Sequence, residues 1–301
     1  MVTVSCSTGI IYEFNKNNPP IQEVESGTTL TIQAYDCFQN QIQSAETEVT
    51  AIDWNKINPA TGPIFVKEAM PGDILKVKIE KIEIGNQGVM VVGPELGVMG
   101  HSIEKMTSKI LPIRDGKVHF NNIALPVNKM IGVIGVAPEG EGVNCGTPGA
   151  HGGNMDNKMV AEGATLYFPV FAEGALFGLG DLHGAMGDGE VSVSGVEVPG
   201  EVTVTLEVIK GQFIRHPMLE NDEVFTQIVS ADTLDEAAKT AATEMIDLIV
   251  EKSGLPLEEV TMLMSAAGQS EICQIVDPLM TARFVVPKWL LEELGVSLIT
   301  E

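Results

Sequence analysis

Apolar and polar residues alternate with a period of two over much of the first 230 positions, the spacing of strands with one buried face. The stretch TLTIQAYDCF (29–38) follows this pattern for most of its length. After the turn Pro71-Gly72-Asp73 comes ILKVKIEKIEI, whose apolar positions change phase once; this predicts a bulge near Glu80 and Lys81. GVMVVG (88–93) reads as a short partner strand, and KMIGVIGVAPEGEG (129–142) as a buried strand running into a glycine-rich loop. ATLYFPVFAEGALFGLGDLHG (164–184) divides into two strands at Ala172-Glu173-Gly174. EVSVSGVEVPGEVTVTLEVIKG (190–211) alternates almost unbroken except at Pro199-Gly200.

Beyond about residue 230 the period lengthens. TLDE (233–236) is a capping box, and apolar residues at 234, 238, 241, 245, 248 and 249 continue at helical spacing until Gly254. A second helix is expected from near Pro256 to Gly268, and a short third one in PKWLLEELG (287–295). EICQIV (271–276) and ARFVV (282–286) read as strands between them. The pattern predicts an α+β protein: a mainly β core of sandwich or barrel type over 1–230, with an α/β lobe over 231–301 packed on it.

Composition sharpens this. With 31 glycines, 16 prolines and few aromatics, the core should consist of short strands joined by tight turns. A formal charge of −23, without clustered cations, excludes a nucleic-acid surface. No run approaches the roughly 18 apolar residues of a membrane helix, and the start MVTVSCSTG lacks a signal peptide's basic and apolar regions. Cys6, Cys37, Cys145 and Cys273 stand far apart with no C-x-x-C pair, so free thiols and a cytoplasmic address are expected.

Two loops concentrate metal-capable chemistry. GDLHGAMGDGE (180–190) holds four glycines, three carboxylates and one of the chain's five histidines. In an extended segment residues i and i+2 share a face, so Asp181 and His183 can meet one ion. Mixed carboxylate and imidazole donors suit Zn²⁺, with Ca²⁺ second in a chain this acidic. Glu190 ends the loop, placed to act on water as a general base. Alone, a D-x-H followed by the hairpin-like Asp188-Gly189 is as consistent with a plain turn. PGAHGGNMDNK (148–158), which repeats the combination with His151 and Asp156, shifts the balance towards a site.

GNMDNK, FPVFAEGALFGLGDLHGAMGDGEV and IGVIGVAPEGE together resemble the acetamidase/formamidase family, and the similarity runs from TLTIQAYDCFQNQI to the PKWLLEE tail. The resemblance implies hydrolysis of short aliphatic amides to carboxylate and ammonia, a largely β fold with a smaller α/β part, and a homo-oligomer, dimer or tetramer. It also implies divalent metal at the glycine-rich loops. Asp36, Asp181 and His183 are its first ligands, with His151 and Asp156 as further ligands or substrate contacts. Formamidase-type members carry Q-G-D-G-E where this chain has Met186 before GDGE, which sets formamide aside as the preferred substrate.

Two rival readings make different predictions. Cys145, in GVNCGTPG, could serve a cysteine-nucleophile amidase, which a thiol alkylator would inactivate and a chelator would spare; a small loop filler is its plain reading. A non-catalytic, Ca²⁺-binding β-sandwich would hold metal yet release no ammonia. Cys37 reads as core, His101 and the pair Glu139 and Glu141 as surface loop, and Met262 and Met264 as helix packing.

Overall fold

The computed structural model describes residues 2–300. Two large open sheets make up most of it. The first has nine strands, with Thr28–Ala34, Gly200–Ile209, Ile74–Ile84 and Thr165–Pro169 as neighbours on one side. It continues through Met218–Glu220, Val224–Ala231 and Met280–Pro287 to Gln269–Gln274 at the edge. The second has eleven strands, with Phe177–His183 near its middle, between Met130–Gly135 and Glu197–Val198. Neither sheet closes on itself, so the core is a sandwich and not a barrel.

The inward faces are those the alternation marks. Ile32, Val77 and Val204 of the first sheet share one buried cluster with Ile131, Leu179 and Leu182 of the second. Each such side chain, fully buried, stabilises by about 1.5–3 kcal/mol. The phase change in Ile74–Ile84 is a bulge: Thr203 opposes Lys81 and Val204 opposes Ile79, which leaves Glu80 without a partner.

The C-terminal helices form where their caps place them. Helix α1 (Leu234–Ser253) starts at Thr233, whose hydroxyl accepts the Glu236 N–H at 3.2 Å, and stops at Gly254, φ +68°. It lays Ala237, Ala241, Met245 and Ile249, four residues apart, on the end of the first sheet. Helices α2 (Leu257–Ala267) and α3 (Lys288–Glu293) complete this second core. Because Val224–Ala231 pairs with Met280–Pro287, the sheet passes continuously through residue 230. Among the described residues no helix is long and apolar enough to cross a membrane.

One segment departs from its pattern. EVSVSGV (190–196) alternates like a strand, yet only Glu197–Val198 pairs as one. Glu190 and Val193 take φ of +44° and +69°, and the chain coils beneath the neighbouring loops. Here the alternation does not describe burial: Val191 is 56% exposed while Glu190 and Ser194 are buried, because the left-handed turns at Glu190 and Val193 interrupt the two-residue period.

Candidate metal centre and active site

Of the sequence-predicted residues, Asp156, Asp181 and Glu190, joined by Glu197, meet around His183. Its Nε2 lies 3.2 Å from Glu197 Oε2, 3.5 Å from Asp181 Oδ1, 3.8 Å from Asp156 Oδ1 and 3.9 Å from Glu190 Oε1. Ligand atoms of Asp156, His183 and Glu190 all fall within 4.8 Å of one another, as do those of Cys37, Asp181 and Glu197. Every one of these residues is buried.

Local backbone geometry produces the convergence. Asp181 sits in the strand Phe177–His183, where Leu182 pairs with Ile131 and Gly180 with Val133; Asp181 itself stands opposite Gly132, outside the regular register. Its φ is +54°, and Asp156 and Glu190 share the left-handed region at +42° and +44°. Such conformations cost on the order of 1–3 kcal/mol each and gather at functional sites. Gly132 has no Cβ, and the carboxylates of Asp156 and Asp181 occupy the space one would take.

The loop bearing Glu190 is fixed from the C-terminal strands. Gly189 N–H donates to the Cys273 carbonyl at 2.8 Å, and Ile275 N–H donates to the Gly189 carbonyl at 3.2 Å. Arg283, only 1% exposed, grips Asp188 with two bonds of 2.8 and 3.0 Å. The same guanidinium reaches Glu271 at 2.7 Å and Asn157 Oδ1 at 3.0 Å, so one side chain ties together both site loops and the edge strand.

Electrostatics make this cluster unstable as it stands. Burial, with the Asp181 charge adding to it, pushes the Asp156 carboxyl up to about 6. Burial raises Glu197 to about 8. Glu190 and Asp277 are driven well above the carboxylate range, first by burial and then by the charge of Asp156. Burial opposes a charged His183, but Glu197 and Asp181 outweigh it and hold its pKa well above that of a free imidazole. Several buried acids around one imidazole cannot all ionise unless a cation joins them. The donor atoms fit one. Both carboxylate oxygens of Asp156, Asp181 Oδ1, Glu197 Oε2 and both His183 nitrogens are buried without hydrogen-bond partners.

A cavity of about 270 Å³ opens onto these groups. Asp181, Glu190, Glu197 and Asp277 line it together with Phe38, Trp54, Ile57, Val91 and Leu96 and the polar Asn58, Asn144, Thr147 and Ser194. Asn154 lines it too; its Nδ2 donates to Asp277 Oδ2 at 3.1 Å, while its Oδ1 is buried and unpaired.

Other expected residues take different places. Asp36 is buried, but it lies outside this cavity, in a separate hollow shared with Glu197. Its Oδ1 accepts the N–H groups of Phe38 and Asn40 at 3.0 and 2.6 Å, a turn that carries Cys37 to the cavity wall. Burial, with Asp181 contributing, raises the Asp36 carboxyl to about 6. His151 lines an adjoining hollow with Pro148, Phe171 and Phe213, its ring edge-on to Phe14 at 5.4 Å; burial lowers its pKa to about 4, which leaves it neutral. Met186 faces another hollow on the far side of Glu190, so the glutamine-to-methionine difference does not touch the site cavity.

Cys145 packs with Phe14, Ala60 and Val133, and burial drives its thiol far above the usual range, as suits a loop filler. His101, Glu139 and Glu141 are exposed. Glu197, Asp277, Asn154 and Arg283 were not legible beforehand. Glu197 sits in an alternating segment that reads as an ordinary polar face, and Asp277 in a turn whose Asp-Pro reads as punctuation.

The glycine-rich loops, their acids and their imidazole thus fall at one buried point. A model of the acetamidase/formamidase family matches residues 12–145 and 139–292, nearly the whole chain. The chain belongs to that family. A recombinant predicted acetamidase/formamidase of Thermoanaerobacter tengcongensis is 52% identical, with a TM-score of 0.96 and 98% of each chain covered. An acetamidase of Bacillus halodurans is 44% identical, with a TM-score of 0.95 over 98% of this chain and 100% of that one. Curated family members match less of their length. A putative formamidase of Schizosaccharomyces pombe is 22% identical over 254 residues, 64% of this chain and 62% of that protein. A formamidase of Methylophilus methylotrophus is 31% identical over 109 residues, 33% and 27% of the respective chains. The chain therefore spans less than two thirds of these curated family members.

Proposed function

We propose that this protein hydrolyses primary carboxamides to carboxylate and ammonia at the His183 cavity, with a divalent cation as cofactor. The observation that carries the reading is the set of buried donors without hydrogen-bond partners from Asp156, Asp181, His183 and Glu197, the three carboxylates lying 3.2–3.8 Å from His183 Nε2 beside a small cavity that Asp181 and Glu197 line. The family's named members, formamidases and acetamidases, support the reaction class.

Asp156, Asp181 and His183 would hold the ion, with Glu197 completing the set and Asp36 left outside it. One imidazole with several carboxylates suits Zn²⁺ better than the six to eight oxygens Ca²⁺ takes. When bound, such an ion acidifies water and polarises a carbonyl. Glu190, which lines the cavity, is the general base: it accepts the proton of the attacking water and delivers it to the departing nitrogen. Asn154 Oδ1 is an open acceptor for the amide N–H. The apolar walls exclude bulk water, which strengthens each of these interactions.

The test is metal analysis of the purified protein together with ammonia release from an amide series, for wild type and Glu190→Gln. Removal of the base should lower kcat on the order of 10²–10⁴-fold with metal retained. Wild-type turnover in that variant would refute the role of Glu190. Bound metal with no ammonia from any amide would leave the Ca²⁺-binding reading standing. Light scattering tests the dimer or tetramer that the family resemblance implies.

A further inference from the structure

The site cavity is larger than the smallest amides require. Its volume of about 270 Å³ corresponds to roughly nine water-sized places. A cation and the attacking water take two of these, and acetamide would fill fewer than half of the rest. The lining is also rich in hydrocarbon: besides the carboxylates, Asn154 and polar residues such as Asn58, Asn144 and Thr147, it includes Phe38, Ile57, Val91, Leu96 and the 37% exposed Trp54. Phe38 and Trp54 meet edge-on at 6.4 Å, which stiffens that part of the lining.

We propose that this protein's preferred substrates are primary amides with an apolar acyl group of roughly four to six carbons, the acyl chain lying along Phe38, Ile57 and Leu96 while the carboxamide sits at the carboxylates. The inference rests on the amidase reading above and adds the substrate class. A pocket built only for formamide or acetamide would leave that hydrocarbon surface facing water in every complex. Each methylene removed from water against such a wall improves binding about fourfold. At the other end, the unpaired Asn154 Oδ1 and the carboxylates are acceptors, which matches the two N–H donors of an unsubstituted amide nitrogen and disfavours N,N-dialkyl amides.

The experiment measures kcat/KM by ammonia release, with metal-loaded protein, for formamide, acetamide, propionamide, butanamide, pentanamide and hexanamide. The expected result is a rise of about fourfold per added methylene, reaching on the order of 50-fold between acetamide and pentanamide. Leu96→Trp, which fills the apolar end, should lower the ratio of pentanamide to acetamide kcat/KM at least tenfold. A maximum at formamide or acetamide, falling with chain length, would overturn the acyl-pocket assignment and leave the amidase reading intact. Release from none of the six would overturn both. The wild-type series decides the question even if the variant fails to fold.

Discussion

Gly132→Ala tests the proposed metal centre separately from the rest of the fold. A Cβ at this position would lie 2.4 Å from Asp156 Oδ1 and 2.5 Å from Asp181 Oδ2, where ordinary contact starts at 3.4 Å. Each carboxylate oxygen must therefore retreat by about 1 Å. The next atom in reach is the Asp181 carbonyl at 3.1 Å, and Gly132 is not among the residues with positive φ, so alanine meets no backbone strain of its own. Overpacking a close-packed site costs about 1–3 kcal/mol, which a chain of this size survives folded. The functional loss should be larger in proportion, because a displacement of about 1 Å in a reacting constellation lowers rate on the order of 10²-fold. The assay is thermal unfolding alongside elemental analysis and amide turnover of one preparation. The expected outcome is a folded variant with a Tm within several degrees of wild type, substoichiometric metal, and turnover down at least 10²-fold. Wild-type metal content and turnover together would show that the two carboxylates tolerate the shift, and that the cavity between them is not the site.

The remaining predictions concern linkage and the loop anchor. In the metal-free protein, Asp36 and Asp156 with pKa values of about 6 and Glu197 of about 8 keep protons that the unfolded chain releases near pH 4. Their contribution to stability is therefore fully present below about pH 4 and lost as pH rises through 6 to 8, at about 1.4 kcal/mol per pH unit per proton. His183, raised above its unfolded value, acts in the same direction. Chelator-treated protein should thus show a Tm that falls from pH 5 to 8.5; added Zn²⁺ should reverse the trend, since metal affinity rises as ligands lose protons. A metal-free Tm that climbs over that range would contradict the assignment. Arg283→Met should cost about 3–5 kcal/mol, because it strips the cation from the anions Asp188 and Glu271. The corresponding drop in Tm is roughly 5–8 °C, and an unchanged Tm would show that Lys158, 2.7 Å from Asp188, suffices to hold the loop.

What could be read from the residues alone follows a physical divide. Strands with one buried face announce themselves by alternation, so Ile74–Ile84 was legible down to its bulge at Glu80. Capping chemistry is local, and it set α1 at Thr233 and Gly254. Asp156, Asp181, His183 and Glu190 stood out because histidines are scarce and both loops crowd them with glycines. Glu197 and Asp277 carry no local mark: each becomes part of the site only through pairing of strands distant in the chain. Asp36 is the converse, a conspicuous acid in the sequence whose oxygen is engaged by its own turn. The coil at 190–196 was misread because its residues alternate in type while their burial does not: Val191 is exposed, whereas Glu190 and Ser194 are buried.

The passage of the first sheet through residue 230 bears on how this chain could be divided. A fragment ending there would keep His183, Asp156 and Glu190, but it would expose the bonding edge of Val224–Ala231 and lose the guanidinium that clamps Asp188. Asp277 and Pro278 also line the cavity, so domain exchange or truncation at that boundary would remove part of the proposed site together with half of a strand pair.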